Sequence, residues 1–521
     1  MPTSAPAPPA FSPVADTLAA NRLGVPQVVF FVMSAATPLT VTAGVVTTAY
    51  TATGLLGLPS AFVGIGVLLG LFSVGYVAMA RQVGNCGAFY SYLSRGLGRP
   101  VGVAGAWVAL LAYNGLQIGL YGAIGAATSP LLNQWFGLNP PWWLIAGVAW
   151  AVTATLGLLR VDVNGRVLAI LLLAEVAVIL AFSGADLLHP AGGTISVTAL
   201  SPGNLVGPGA GALLVLAVLG SVGFESAVVF SEESKDPTRT VPLATYLSVG
   251  LIAALYTFAS WAMTVAVGPG RIVAVSREQG TEVIFTLAHT HLGATAATLG
   301  HTLFGTSLIA AMIAFHNTTS RYMYALGREG VLPRRWGRTL PSTGSPHVAS
   351  LTQSTLGLVV IVVYAVAGWD PMVTLFYRGG TGGGLGVLLL IAATSISVVV
   401  FFARHPGCET RWRRRIAPIM AMVALLLVVV LALRNTDTLL GVPPEHPLVW
   451  AIPATFAVAA ILGLGWGLIL RVTQPAVYAR IGLGAKAALA TASTAGIAAS
   501  APNPRHSTTS APADTAAEVW R

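Results

Sequence analysis

Charge is what this chain has least of. Only 8% of its 521 residues are Asp, Glu, Lys or Arg, against roughly 25% in a soluble domain. That is too little to cover the surface of a water-soluble fold of this length. Cysteine is nearly absent: Cys86 and Cys408 both fall in expected cytoplasmic loops, and no disulfide is expected. Period-two alternation is weak throughout, which argues against a membrane barrel. No nucleophile–base pair or metal-ligand spacing stands out, so neither an enzyme nor a metal centre is expected. No basic region leads directly into an apolar core near the start, so no cleavable signal peptide is expected.

What is present is apolar length. Hydrophobic residues make up 55% of the chain and mean hydropathy is +0.77. Runs of about 20 apolar residues cross a bilayer as helices. Twelve such runs are expected, at 25–50, 58–80, 101–130, 141–159, 167–186, 208–230, 241–268, 294–318, 347–367, 371–403, 416–434 and 447–471. The net charge of +10 invites a nucleic-acid reading, but its distribution argues against one. With the N-terminus inside, all but four of the 27 Lys and Arg residues lie on the cytoplasmic side. The exceptions are Arg271, Arg277 and Arg434 outside and Arg378 within a span. This matches the positive-inside rule for a multi-pass protein of the cytoplasmic (inner) membrane with both termini cytoplasmic.

Two spans read as interrupted. The first carries "SAATPLTVTAG", with Pro38 in mid-span and Gly44 after it; the sixth carries Gly220 and Gly223. Proline removes a helix donor and clashes with the preceding turn. Freed peptide groups at membrane depth must be buried in protein or face a cavity. A simple kink explains either break alone. Interruptions at matching places in two halves point instead to an inverted-repeat transporter with a site near the midplane. The expected organisation is a flexible N-terminus (1–24), a first five-helix repeat (25–186), a second of opposite topology (208–403), helices 11 and 12 (416–471) and a disordered cytoplasmic tail (475–521). The halves share no clear sequence similarity, so the repeat rests on the breaks.

Short polar segments add detail. "GAFYSYLSRGLGRP" (87–100) reads as an amphipathic helix along the membrane surface. "EESKDPTRTVP" (232–242) reads as a compact turn, and "SRYMYALGREGVLPRRWGR" (320–338) as a basic helix and turn.

Four strings in order carry a resemblance. "GFESAVVFSEESKDPTRTVPLA" (223–244), "MSAATPLTVTAG" (33–44), "GNCGAFYSYLSRGLGRP" (84–100) and "NTTSRYMYALGREGVLP" (317–333) with "TGSPHVA" (343–349) resemble motifs of the amino acid–polyamine–organocation (APC) superfamily, in its amino acid permease branch. The match spans about 25–403. It implies an all-α integral membrane protein of about twelve transmembrane helices, a five-plus-five inverted repeat (the LeuT-like, or APC, fold) with discontinuous helices 1 and 6. It also implies secondary transport of an amino acid or amine, by proton-coupled symport or by exchange. No cofactor is expected beyond a coupled ion, a proton before sodium. The partners would be the small-molecule substrate and membrane lipid, with no nucleic acid, in a monomer or homodimer.

The resemblance also implies a site. In family members the helix 1 break binds the substrate carboxylate and the helix 6 break its ammonium. Carried over, Ala35, Ala36, Thr37 and Thr40 line the first, and Leu219, Gly220 and Val222 the second. Packing of helices by small residues explains each position equally well. Tyr113, Gln117 and Tyr121, spaced by four, share a face of span 3 that either lines the site or belongs to the core. A charged carboxylate at mid-bilayer costs about 3 kcal/mol. Glu225 therefore either exchanges a proton or, held neutral, braces helix 6. Glu175 on span 5 is the second such acid, with His316 or Asn317 as candidate partners. His316 is a relay candidate or a satisfied core histidine. A sodium site would draw on Thr319 and Ser320. Arg378 stands beside a Gly-rich break in span 10, where the relatives carry an apolar residue. It would pair with Glu225 or Glu175, receive an acidic substrate group, or snorkel outward. Some relatives hold substrate by stacking on a Trp six residues before the helix 6 Glu; that position is Leu219, which disfavours stacking. The reading of another class, a sensor or channel, predicts a continuous polar pore rather than two broken helices.

Overall fold

A computed structural model describes residues 18–83, 85–407 and 409–484. It is all-helical, and eleven helices are long and apolar enough to cross a membrane. With the shorter apolar helix Trp142–Leu158 they form twelve spans: α1 (Val25–Thr53), α2 (Leu58–Ala80), α3 (Arg99–Phe136), α4 (Trp142–Leu158), α5 (Val161–Leu188), α6 (Ala210–Glu233), α7 (Pro237–Val267), α8 (Ala294–Glu329), α9 (His347–Ala367), α10 (Pro371–Arg404), α11 (Trp412–Arg434) and α12 (Leu448–Thr473). Each corresponds to one of the twelve expected runs.

The two halves meet counterpart to counterpart. α1 packs on α6, α2 on α7, α3 on α8 and α4 on α9. This is the packing of the five-plus-five inverted repeat. Burial ranks the spans: 89% of the apolar stretch of α6 and 83% of that of α1 are buried, against 17% of α12. The exposed faces of the outer spans are apolar, with Trp450, Ile461 and Val472 on α12, as lipid contact requires. α1 and α6 form the centre, so any interruption in them opens inside protein rather than lipid.

Both interruptions are real and have local causes. In α1 the first helix ends at Ala35, and Thr37 takes a left-handed conformation (φ 47°, ψ 64°) before helix resumes at Pro38. Proline disfavours the α region for the residue before it, and Thr37 is that residue. In α6 the helix Ala210–Gly220 gives way at Ser221–Gly223 to the tighter 3₁₀ helix Phe224–Glu233. Gly223 has φ 120°, a backbone state that side-chain-bearing residues rarely adopt.

Several expectations change. The Ala88–Gly96 helix does not lie on the surface: Ala88 to Ser94 are buried, and Ser397 of α10 donates to the Tyr92 carbonyl at 2.7 Å. Its many aromatic and small residues satisfy a pocket between α3 and α10. α8 runs unbroken to Glu329, so Arg321 lies in the core and not in a loop. The glycines of 379–386 do not break α10. A Cβ on Gly383 would meet the Ala112 carbonyl of α3 at 2.7 Å; these glycines let two helices approach closely. The flexible segment 1–24 is ordered in its described part. Arg22 and Leu23 donate to the Glu233 carbonyl at 2.9 and 3.0 Å, and the Leu23 carbonyl accepts from Lys235. Likewise 475–484 is not disordered. It contains the helix Pro475–Arg480, followed by Gly482 and Gly484, whose amides donate to Glu329 at 2.6 and 2.7 Å. The remaining parts of these two terminal segments, 1–17 and 485–521, lie outside the described residues, as does Cys408.

Candidate functional site

The two breaks face each other. A Cβ on Gly223 would stand 2.8 Å from the Ala36 amide nitrogen, so backbone meets backbone there. Beside this contact lies a cavity of about 530 Å³, within the range of small-molecule sites. Ala35, Ala36, Thr37 and Thr40 of α1 and Leu219, Gly220 and Val222 of α6 all line it. Two stretches of π-helix, Val41–Val45 and Pro371–Gly379, also border it; such widened turns are frequent at functional sites.

The wall holds residues that sequence reasoning did not single out. α3 contributes Leu116 and Leu120. α8 contributes Phe315, and α10 contributes Met372, Phe376 and Tyr377. Leu116 and Leu120 are four apart, as are Tyr113 and Gln117, so spacing identified a shared face but not which face meets the cavity. Tyr113 and Gln117 are not in the wall. Tyr113 donates to Glu225 at 2.9 Å. Gln117 accepts from Gln353 at 2.8 Å and stands 3.3 Å from the Tyr121 hydroxyl. Their face turns toward α6, α8 and α9.

Both mid-span carboxylates brace a break. Glu225 is buried. It accepts from the Gly223 amide at 2.8 Å and from the Tyr113 hydroxyl, while its own carbonyl accepts from Tyr76 at 2.9 Å. Glu175, equally buried, accepts from the Leu39 amide at 2.5 Å and from the Ser307 hydroxyl at 2.7 Å. It thereby joins α5 to the second half of α1 and to α8. His316 and Asn317, the expected partners of Glu175, lie elsewhere. His316 stands 2.8 Å from the Ser350 hydroxyl and 3.4 Å from Gln117; Asn317 accepts from Arg321. Neither helix 8 group reaches a carboxylate at a break. Thr319 donates to its own helix at Phe315, and the buried Ser320 hydroxyl has no partner. Tyr256 of α7 donates to the Ala36 carbonyl at 2.7 Å, which anchors the α1 break from the other repeat.

Arg378 reaches the cavity wall. It pairs with neither Glu225 nor Glu175: none of the ion pairs among the described residues includes it, and its buried Nε lacks a partner.

The cavity is asymmetric. Thr281, Leu440 and Gly441, from the 268–294 and 435–447 connections, line it at one end. At the other end the breaks are backed by packed side chains. Tyr76 stacks on Phe72, and Tyr113 lies 5.5 Å from Tyr322. Beyond them come two buried fork-shaped ion pairs. Arg321 meets Glu233 at 2.5 and 2.8 Å, and Arg328 meets Glu232 at 2.6 and 2.7 Å. Both tie α8 to the end of α6. Burial pushes the neighbouring Cys86 thiol well above its ordinary range, with the Glu232 carboxylate adding to the effect. No group of three or more His, Cys, Asp or Glu suited to a metal ion occurs among the described residues.

Comparison with known proteins places the fold. An uncharacterized transporter of Mycobacterium tuberculosis is 25% identical over 397 residues, covering 71% of this chain and 79% of its own length. The histidine permease of Lactococcus lactis is 28% identical over 307 residues, covering 57% and 62%. The low-affinity putrescine importer of Escherichia coli is 24% identical over 313 residues, covering 58% and 66%. In fold the chain matches a manganese transporter of Eremococcus coleocola with a TM-score of 0.56 at 14% identity, over 89% of this chain and 95% of that one. The amino acid permease family model matches residues 23–466, nearly all of the described fold, and the chain belongs to that family of multi-pass membrane transporters.

Proposed function

We propose that this protein is a secondary transporter of the cytoplasmic membrane that moves an amino acid or related amine by alternating access. The observation that carries this reading is the cavity flanked by both breaks. Exposed amides at a half-helix N-terminus favour a carboxylate, and exposed carbonyls at a half-helix C-terminus favour an ammonium. Two such ends side by side suit a zwitterion. The histidine and putrescine carriers among the relatives support the substrate class. The cavity reaches the connections that are poor in Lys and Arg, whereas the packed end carries the basic excess. By the positive-inside rule this conformation faces outward, with the cytoplasmic path closed and both termini inside.

Proton-coupled import is the coupling we favour. Glu225 and Glu175 each hold a broken helix to a neighbouring span. A carboxyl group buried at this depth is costly as an anion, so gain or loss of one proton would change how firmly a break is braced. Exchange of one substrate for another uses the same cavity and is the alternative.

Countertransport tests the reading. Proteoliposomes preloaded with unlabelled amino acids should accumulate labelled substrate transiently above its equilibrium level. A channel or sensor gives simple equilibration or none.

A further inference from the structure

We propose that Arg378 reads a negative charge on the substrate, and that the preferred cargo is an amino acid with an acidic side chain. This deepens the permease reading and rests on it.

Among the described residues Arg378 supplies the only charged side chain in the cavity wall, which holds no described Asp, Glu or Lys. A guanidinium keeps its charge in proteins and offers donors arranged to meet a carboxylate. Its Nε is buried without a partner. Two acids close in sequence to wall residues have partners of their own. The Asp370 carboxylate caps its own helix, accepting from the Met372 and Val373 amides at 2.8 and 3.0 Å. Glu282, next to the wall residue Thr281, meets His301 at 2.9 Å. No ion pair among the described residues includes Arg378, so its charge is available to an anion that enters the cavity.

The remaining geometry supplies the rest of the ligand. Thr40 at the α1 break lines the same cavity with a buried hydroxyl that has no partner. Most other wall groups are apolar, Leu116, Leu120 and Phe315 among them, so charge interactions there are weakly screened. A zwitterion seated at the breaks leaves Arg378 free for a second anionic group on the side chain. The same wall disfavours a diamine or basic amino acid, because a distal ammonium would meet a cation and find no carboxylate.

The test compares isosteres. The full chain in proteoliposomes is assayed by countertransport with labelled L-glutamate, L-glutamine and L-lysine. A charge-assisted hydrogen bond is worth about tenfold to a hundredfold in affinity. Glutamate should therefore compete about tenfold to a hundredfold better than glutamine, and lysine should compete least. In Arg378→Gln the glutamate-to-glutamine ratio should fall to about one, whereas Arg378→Lys should retain part of it. Glutamine or lysine transported as well as glutamate by the natural chain overturns the assignment and leaves the permease reading intact. A ratio unchanged in Arg378→Gln does the same. Failure to accumulate any amino acid removes the permease reading and this inference with it.

Discussion

Gly223 and Ala36 stand backbone to backbone: a single added carbon on Gly223 would sit 2.8 Å from the Ala36 nitrogen and 2.9 Å from the Ala35 carbonyl carbon. This contact brings the two helix breaks together. It uses both properties of glycine at once, the absent side chain and the freedom to hold φ 120°.

Gly223→Ala should accordingly abolish uptake. It combines a disfavoured backbone state, costing about 1–3 kcal/mol, with a clash against main chain that cannot swing aside. Gly220→Ala is milder, because its added carbon meets only side chains, Val41 and Val45 at 3.2 and 3.4 Å and Phe62 at 3.7 Å. Transport assays of both, normalised to the amount of folded protein, would check this; equal tolerance would contradict the backbone contact.

Glu225→Gln should leave substrate binding largely in place while flattening the pH dependence of uptake. The amide oxygen can still accept from Gly223 or Tyr113, but the group no longer exchanges a proton. Glu175→Gln makes the comparison at the other break, where Leu39 and Ser307 donate. Uptake measured from pH 5 to 8 in both variants identifies the coupling residue. Two profiles that follow the natural protein would remove proton coupling from both.

Breaking the Arg321–Glu233 pair from one side should destabilise the closed, packed end of the protein. Removing one member of a buried pair costs about 3–5 kcal/mol, because the other is left buried and unpaired. Arg321→Met should therefore lower Tm clearly, while Arg321→Met with Glu233→Leu recovers much of the loss. A thermal melt in detergent of the single and double variants is the measurement; a double variant no better than the single would argue against the pair.

Glu329 is held by four donors: Asn85, Tyr90, and the Gly482 and Gly484 amides. Truncation after Arg480 removes two of them. Leaving a buried polar group short of donors costs about 1–3 kcal/mol, so the truncated chain should melt at a lower temperature. Deleting only 485–521 keeps both amides, so the extra loss of Tm on truncation after Arg480 measures what 481–484 contribute.

The sequence by itself determined the number of spans, their order, the side on which cations gather and the two interruptions. These follow from properties carried along the chain: apolar length matched to a bilayer, Pro38 forcing Thr37 out of helix, and Gly223 permitting a conformation other residues resist. Tertiary structure decided which faces those helices present. Tyr113 and Gln117 share a helical stripe, yet neighbouring Leu116 and Leu120 meet the cavity. The glycines near Arg378 read as a break and turned out to be a close contact with α3. The 88–96 helix read as a surface element and is buried. Nearly every helix here is apolar all round, so periodicity gives no sign of which side meets lipid, protein or an open site. That choice is made by contacts between distant segments, as where Glu175 finds Leu39 and Ser307 rather than His316.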